Sequence, residues 1–413
     1  MKVGIYFPGY QPESGGGYTF EQDILTALVE LASKSHHEFF LFTENISIFD
    51  KQITFSGNFE IIKLKKVKRF QNILRKARHF CLKYGWTNLA KVMENPLRKS
   101  TAKYKIEFVW FPTPIYSPID IPYIATVWDI QHRVQPWFPE VGIESIWNER
   151  EKYSKEFLER AVYIITPNQA SQNELALYYQ IPLDRFLKFP HPVPRISLQS
   201  QIRIDAILNK YNLVKQEYLF YPAQFWPHKN HINLLSALKL LRDESDISIP
   251  LVLVGSDKGN LQYVLNKAEE MGIKNSIQYL GFVPRDDLIG LYQGAFALTF
   301  LSLFGPENLP PLESFVCGCP VIAARVAGAK EQYNDAALLV DGTNPIEIAN
   351  AIKSLFINPK LRDSLIKKGY KRSKEFTAVD YVKGVITAMD KFETVRQNWG
   401  VDYQLISNTF TKR

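Results

Sequence analysis

The stretch from Phe300 to Ala323, FLSLFGPENLPPLESFVCGCPVIA, constrains the fold of this chain more than any other. Residues 296–301 are apolar and aromatic, as in a buried strand, and the glycine and prolines of 305–311 then exclude regular structure. A helix is expected to begin at those prolines, with Glu313 in its first turn. A second strand at 320–324 completes a βαβ unit, which predicts an α/β fold with a parallel sheet.

The loop of this unit lies at the carboxyl end of its first strand, where open α/β sheets bind ligands. Backbone N–H groups at the start of the following helix suit a phosphate. Glycine and proline are also ordinary in loops, so a purely structural role stays open on this motif alone.

The length of 413 residues, of which 46% are hydrophobic, suits two domains of about 200 residues each. We expect a cytoplasmic protein, because the chain shows neither the apolar core of a signal peptide nor an uncharged stretch of about 20 residues. Its three cysteines, Cys81, Cys317 and Cys319, are too few for a disulfide framework and form no convincing metal motif.

The formal net charge of +8 is concentrated between Lys63 and Lys105, where Glu94 is the only acid. Apolar residues interleave there at helical spacing, which predicts an amphipathic basic helix. Such a helix face is solvated, or contacts an anionic membrane surface, or binds nucleic acid. No nucleic-acid motif accompanies the charge, so peripheral membrane contact and a solvated face are the interpretations kept.

Two strands of the first half precede polar loops. The strand 3–7 runs into Gly15, Gly16 and Gly17, where the backbone can approach a ligand, and a helix is expected from Thr19. The strand 123–127 ends in WDIQHR. Its carboxylate, imidazole and guanidinium orient a sugar, relay a proton or bind phosphate, or else simply cap the loop.

The prolines of 189–194 favour an extended linker, and a new strand follows at 218–221. Helical patterns cover 345–356, 359–373 and 378–396. We therefore predict an N-terminal domain at 1–195, a C-terminal domain at 196–378, and a terminal helix and tail at 379–413.

The 304–323 motif, together with VAGA at 326–329 and DAALLVDGTNPIEIANAI at 335–352, resembles the nucleotide-sugar-binding half of family-4 retaining glycosyltransferases (group 1 type). That family carries two glutamates eight positions apart. Glu313 matches the second, whereas Gly305 stands at the first position and the acid is displaced to Glu307. The form FGPxNLPPLE resembles a subgroup of the same family.

The resemblance extends to other loops and departs from the family in two. Pro227-His228-Lys229-Asn230 matches a phosphate-binding motif, but Gln224 replaces its arginine. Gln224 can still donate a hydrogen bond, and Trp226 and His228 are the candidates to compensate for the missing charge. Asp129 matches a donor-contacting pair whose histidine is replaced by Trp128.

The resemblance implies the GT-B fold, with two Rossmann-like domains facing a cleft and a C-terminal helix that crosses back to the N-terminal domain. It also implies roles for residues of both domains. Catalytic roles fall on Asp129, Lys229 and Glu307; donor binding falls on Gly15, Gly16, Gly17, Gln224, Lys229, Phe282, Asn308, Leu309 and Glu313.

The implied activity is retaining transfer of a hexose, such as mannose, from a UDP-, GDP- or ADP-sugar to a glycan or lipid-linked acceptor. No metal and no cofactor are expected. The departures at Gly305 and Gln224 favour one alternative, a GT-B-like subunit that binds sugar nucleotides or glycans without turnover. A third interpretation is a GT-B-type hydrolase or epimerase of sugar nucleotides.

Overall fold

The computed structural model describes residues 1–12, 15–45, 58–64, 95–195 and 203–399. Most of the predicted basic helix at 63–105, including Cys81, lies outside these residues. Within that segment, the described part contains a short helix from Pro96 to Lys103, which Asn95 caps by accepting a hydrogen bond from the N–H of Leu97.

The first sheet is built from alternating apolar segments of the first half of the chain, and all of its strands are parallel. Its strands are β1 Lys2–Phe7, β2 Glu38–Thr43, β3 Phe59–Lys63, β4 Phe108–Trp110, β5 Tyr123–Thr126, β6 Tyr163–Thr166 and β7 Phe186–Lys188. They lie in the order β3-β2-β1-β4-β5-β6-β7. Most of these strands are buried, as the continuous apolar runs of parallel strands predict.

The second sheet repeats this plan. Its strands are β8 Leu219–Pro222, β9 Leu251–Val254, β10 Ile277–Tyr279, β11 Ala297–Phe300, β12 Val321–Ala324 and β13 Ala337–Val340, in the order β10-β9-β8-β11-β12-β13 and all parallel. In both sheets the strand order reverses direction beside the first strand, between β1 and β4 and between β8 and β11. Such reversal points are where doubly wound sheets bind ligands.

Helices connect the strands. They are α1 Gly16–Ala32, α2 Pro96–Lys103, α3 Gln131–Val134, α4 Pro139–Gly142, α5 Glu144–Lys152, α6 Gln169–Tyr179, α7 Ile204–Lys210, α8 His231–Ser245, α9 Leu261–Glu270, α10 Arg285–Gly294, α11 Leu309–Val316, α12 Ala329–Tyr333, α13 Pro345–Ile357, α14 Pro359–Arg372 and α15 Ala378–Arg396. A π-helical turn covers Tyr153–Phe157, and 3₁₀ turns cover Leu158–Arg160, Leu183–Arg185, Pro227–Lys229 and Lys274–Ser276.

Two helix starts differ from the sequence-based expectation. Helix α1 begins at Gly16 rather than Thr19, because Gly15 takes a left-handed conformation (φ 66°) that turns the chain directly into the helix. Helix α11 begins at Leu309, ahead of both prolines, so Glu313 lies in its second turn and not in its first.

Helix α15 packs back on the first sheet, as the GT-B prediction requires. A capping box between Thr377 and Asp380 fixes its start. Tyr381 stacks on Trp110 of β4, and Phe392 packs against Phe108 with ring centroids 4.9 Å apart. The two parallel sheets with interleaved helices and this returning helix confirm the predicted fold class.

The described helices include none that is both long and apolar enough to cross a membrane.

Candidate active site

One cleft of about 560 Å³ opens between the two sheets, at the point where each strand order reverses. Every residue to which the family resemblance assigned a catalytic or donor-binding role lines this cleft: Gly15, Gly16, Gly17, Asp129, Gln224, Lys229, Phe282, Glu307, Asn308, Leu309 and Glu313. They come from loops after β1, β5, β8, β10 and β11, so the fold brings together residues far apart in the chain. Their individual roles remain predictions.

Lys229 places a cation in the cleft at the end of the 3₁₀ turn after β8. Asn230, with φ of 60°, then turns the chain into α8, and Tyr221 donates a hydrogen bond to the carbonyl of Lys229. The ammonium lies 3.3 Å from Ser302 Oγ and 5.1 Å from the centre of the Phe300 ring. Among the described residues it forms no ion pair. Burial lowers its pKa to about 8. An anion bound beside the ammonium would stabilise its charged form.

Glu313 is a buried residue of α11 that lines the cleft. Tyr292 of α10 donates a hydrogen bond of 2.7 Å to its Oε2. Burial raises the pKa of Glu313, and the nearby charge of Arg285 partly opposes that rise. The carboxyl is thereby held in one orientation at the cleft wall, which suits hydrogen bonding to hydroxyl groups.

The turn before α11 explains the departure at position 305. Gly305 has φ of 104°, and the Asn308 side chain donates a hydrogen bond to its carbonyl. A Cβ at this position would lie 3.0 Å from the Asn308 amide. A glutamate therefore does not fit here without displacing that amide.

Glu307 is displaced into contact with the linker between the domains. Its side chain is only 2% exposed. Its Oε2 accepts a hydrogen bond from the backbone N–H of His191 and lies 3.1 Å from Nδ1 of the same histidine. Burial raises the pKa of Glu307, and His191 opposes that rise. One carboxylate oxygen is thus committed to the linker.

The start of α11 at Leu309 offers fewer free backbone N–H groups than its motif suggests. Prolines occupy the next two positions and have no N–H, and the N–H of Asn308 already bonds to Gln332 Oε1. Leu309 therefore carries the backbone N–H that is best placed for an anion at this end of α11.

The glycine loop of the first domain closes the cleft from the opposite side. A Cβ on Gly16 would lie 3.1 Å from Leu309 Cδ1, so the two domains approach each other closely at this position. A Cβ on Gly17 would lie 3.3 Å from the ring of Tyr10. Larger side chains here would narrow the mouth of the cleft.

Asp129 follows β5 on the same side of the cleft. Its Oδ1 accepts hydrogen bonds from the N–H of Gln131 at 2.9 Å and from Arg150 at 2.7 Å. The carboxylate is therefore oriented by its own loop and by α5, and its charge helps to keep Lys229 protonated.

His132 and Arg133, the other titratable groups of the WDIQHR loop, do not line the cleft. Both bind Glu151, and Tyr179 also contacts His132 and Glu151. Burial lowers the pKa of His132 to about 4. The structure places His132 and Arg133 in an internal hydrogen-bonded cluster, which agrees with a structural role in the loop and not with a role in the cleft.

The groups that were to compensate for the missing arginine are engaged elsewhere. Trp226 Nε1 donates a hydrogen bond of 3.0 Å to Gln224 Oε1. His228 stacks on Phe304 with ring centroids 3.7 Å apart, and its ring and backbone N–H both bond to Glu140 of the first domain. Neither Trp226 nor His228 therefore presents a spare cation to the cleft.

Two cleft residues were not identified from the sequence. Arg285, the first residue of α10, brings a second cationic side chain to the cleft beside Glu313, and His191 of the linker brings an imidazole beside Glu307. The signal available for Arg285 was its position at the start of the helix after Val283-Pro284. No local pattern distinguishes His191 from an ordinary linker residue.

Comparisons with known proteins agree with this architecture. The family model described as "Glycosyl transferases group 1" matches residues 204–372. O-antigen chain mannosyltransferase B of Escherichia coli is 31% identical over 233 residues, which cover 55% of this chain and 60% of that protein. Serotype-specific mannosyltransferase WbdA of Escherichia coli is 31% identical over 191 residues, covering 45% of this chain and 23% of that protein. The matched region is thus less than two thirds of either relative.

Solved structures share the fold over almost the whole chain. A glycosyltransferase from Rickettsia africae superposes with a TM-score of 0.68 at 14% identity, covering 94% of this chain and 98% of that one. Anabaena HepE in complex with UDP gives 0.66 at 14% identity, covering 95% and 100%. WaaG, a glycosyltransferase involved in lipopolysaccharide biosynthesis, gives 0.66 at 15% identity, covering 93% and 99%. At these identities the likeness establishes the fold and no more.

Proposed function

We propose that this chain is a retaining glycosyltransferase of family 4, in the FGPxNLPPLE subgroup, that transfers a hexose from a nucleotide-diphosphate sugar to a glycan or lipid-linked acceptor. The observation that carries the proposal is the convergence of Lys229, Glu313 and the loop Gly15–Gly17 on one cleft, at the reversal points of both sheets. A cation, a buried carboxyl and a close backbone approach are the groups that a sugar nucleotide needs.

The donor diphosphate would lie between Lys229 and the start of α11. A cation fixed in a partly desolvated cleft stabilises charge that develops on a leaving group, and it requires no reorganisation at the moment of reaction. Arg285 adds a positive charge to the cleft beside Glu313. With Lys229 at the diphosphate and Arg285 elsewhere in the cleft, we expect transfer to require no metal.

The remaining groups have corresponding roles. Glu313 would accept hydrogen bonds from the ribose hydroxyls, and the backbone beside Phe282 would contact the base. Glu307 and Asn308 would hold the donor sugar, with the second oxygen of Glu307 available because only Oε2 is bound to His191. Asp129 and the glycine loop would orient the sugar and the acceptor from the first domain.

Transfer would proceed without a nucleophile from the protein. The bond between the anomeric carbon and the phosphate oxygen breaks, and the acceptor oxygen bonds to the same face of that carbon, which retains its configuration. The acceptor proton passes to the departing phosphate oxygen. Lys229 stabilises the charge on that phosphate throughout.

Mannose is the first sugar to test, since the relatives named above are an O-antigen chain mannosyltransferase and a serotype-specific mannosyltransferase. Their names also disfavour the alternative of a binding subunit without turnover. A lipid-linked acceptor would bring the protein to a membrane surface from the cytoplasm, where the basic segment 63–105 would supply the contact.

The proposal is tested by thermal-shift screening against UDP-, GDP- and ADP-sugars, followed by measurement of nucleoside diphosphate release. We expect one base to raise Tm, and its sugar nucleotide to be consumed only when an acceptor is supplied, with or without EDTA. Saturable binding without product would instead identify a binding subunit, and free or rearranged sugar without acceptor would identify a hydrolase or an epimerase.

A further inference from the structure

A second cluster of polar side chains lies where α15 returns to the first domain. It consists of His36 and His37, which precede β2, and Asp390 and Glu393 on α15; we call it the return cluster. One ligand atom from each of the four side chains lies within 4.8 Å of the others. Asp390 and Glu393 are three positions apart, so they share one face of the helix.

The return cluster is separate from the candidate active site. His37 immediately precedes the first residue of β2, so the cluster lies at the amino end of the first sheet, whereas the cleft lies at the carboxyl end. A six-residue strand spans about 20 Å between these two edges. The four side chains are therefore remote from the proposed reaction.

His37 is buried and incompletely bonded. Its side chain is 0% exposed, and its Nε2 lies 3.0 Å from Asp390 Oδ1. Neither of these two atoms takes part in a hydrogen bond of acceptable geometry within the described structure. Buried polar atoms normally have a hydrogen-bond partner, and a cation bound to both atoms, with a slight increase in their separation, would satisfy them.

We propose that the return cluster binds one divalent transition-metal ion, with Zn²⁺ as the preferred ion, and that this ion fastens α15 to the first domain. Two imidazoles and two carboxylates form a ligand set that suits zinc, which binds nitrogen and oxygen donors at about 2.0 to 2.2 Å. The segment before β2 contributes two ligands and α15 contributes the other two. The ion therefore cross-links residues that are about 350 positions apart in sequence.

Small movements would bring the ligands into place. Four tetrahedral ligands at these bond lengths lie about 3.3 Å from one another. The separation of His37 Nε2 from Asp390 Oδ1 is 3.0 Å, and that of His36 Nε2 from the same oxygen is 3.9 Å. His36 and Glu393 are hydrogen-bonded at 2.6 Å and must part slightly, which the exposed His36 side chain permits.

Other groups around the cluster leave the ligand atoms accessible. The amine of Met1 donates a hydrogen bond to Glu393 Oε1, the oxygen that does not contact His36, and it lies 3.3 Å from His37 Nδ1, which is not the nitrogen that faces Asp390. Burial lowers the pKa of His37, which favours the neutral imidazole that ligates metals.

The test uses the full chain without a polyhistidine tag, stripped with EDTA and transferred to buffer free of chelator. Titration with ZnCl₂ in a calorimeter should show one site, and zinc should raise Tm by several degrees. His36→Ala and Asp390→Asn should each weaken zinc binding at least tenfold and abolish the zinc-dependent rise in Tm. Both side chains are partly exposed, so the metal-free variants should unfold near the temperature of the metal-free wild type.

Glu38→Gln is the matched control. Glu38 is a neighbouring exposed carboxylate at the start of β2 that pairs with Lys2 and lies outside the cluster. This variant should bind zinc as the wild type does. Absence of one-site zinc binding in the wild type, or binding that is equal in the wild type and Asp390→Asn, would overturn the proposal.

Discussion

Replacing Lys229 by alanine should lower the rate of turnover without lowering the stability of the fold. The ammonium lines the cleft where the donor diphosphate is proposed to lie, and among the described residues it has no carboxylate partner. Removal of one fixed group that stabilises developing charge lowers kcat about 100- to 1,000-fold, which corresponds to roughly 3 to 4 kcal/mol. We expect a loss of turnover in this range.

The folded state should not weaken in the same variant. Burial lowers the pKa of Lys229 from 10.5 to about 8, so below pH 8 the charged side chain costs the folded state about 3 kcal/mol, at about 1.4 kcal/mol per pKa unit. This cost is present at neutral pH and disappears as pH rises from about 8 towards 10.5. Alanine relieves it while losing packing against Phe300, worth about 1 kcal/mol. Tm should therefore stay level or rise.

The assay is nucleoside diphosphate release from the sugar nucleotide identified by thermal shift, alongside Tm of the free protein. Lys239→Ala is the matched control, because Lys239 is an exposed lysine of the same domain that pairs with Asp243. It should retain wild-type turnover. Wild-type rates in Lys229→Ala, or a loss of activity that is matched by a large fall in Tm, would refute the reasoning.

Three further predictions concern the charge of the cleft, the linker contact and the returning helix. Affinity for nucleoside diphosphate should fall as pH rises through about 8, because Lys229 loses its charge there in the free protein, and calorimetry of Lys229→Ala should show no such fall. Glu307→Gln should lower turnover at least tenfold. His191→Gln should have a smaller effect, because it keeps the backbone N–H that binds Glu307. Equal steady-state rates for Glu307→Gln and the wild type would exclude a role of Glu307 in the site. Met389→Ala should cost about 2 to 5 kcal/mol in urea unfolding, because Met389 is fully buried against the first domain, whereas Val395→Ala on the exposed face should cost under about 0.5.

The secondary structure follows closely from local patterns. The βαβ unit at 296–324 forms in the predicted order, although its helix begins ahead of the prolines. The three C-terminal helices form as predicted, because apolar runs and helical periodicity coincide there with proline and glycine boundaries. Helical periodicity predicts a start of α1 that is three residues too late, because glycines carry no periodic signal. Here the left-handed Gly15, rather than a polar cap, ends the loop.

The position of the cleft was also predictable, since loops after parallel strands meet at one edge of a sheet. The contacts that individual side chains make in and near the cleft were not predictable. Glu307 binds a linker residue 116 positions away, and His132 binds Tyr179 across 47 positions. Such partners depend on the packing of the two domains and on helix α6, which leave no local mark in the sequence.

The central claim is that the donor diphosphate binds between Lys229 and the start of α11. A crystal structure of the chain with the nucleoside diphosphate selected by thermal shift tests this claim most directly. We predict a phosphate oxygen within hydrogen-bonding distance of Lys229 Nζ and the ribose hydroxyls at Glu313. A nucleotide bound elsewhere, or one whose phosphates point away from Lys229, would contradict the account.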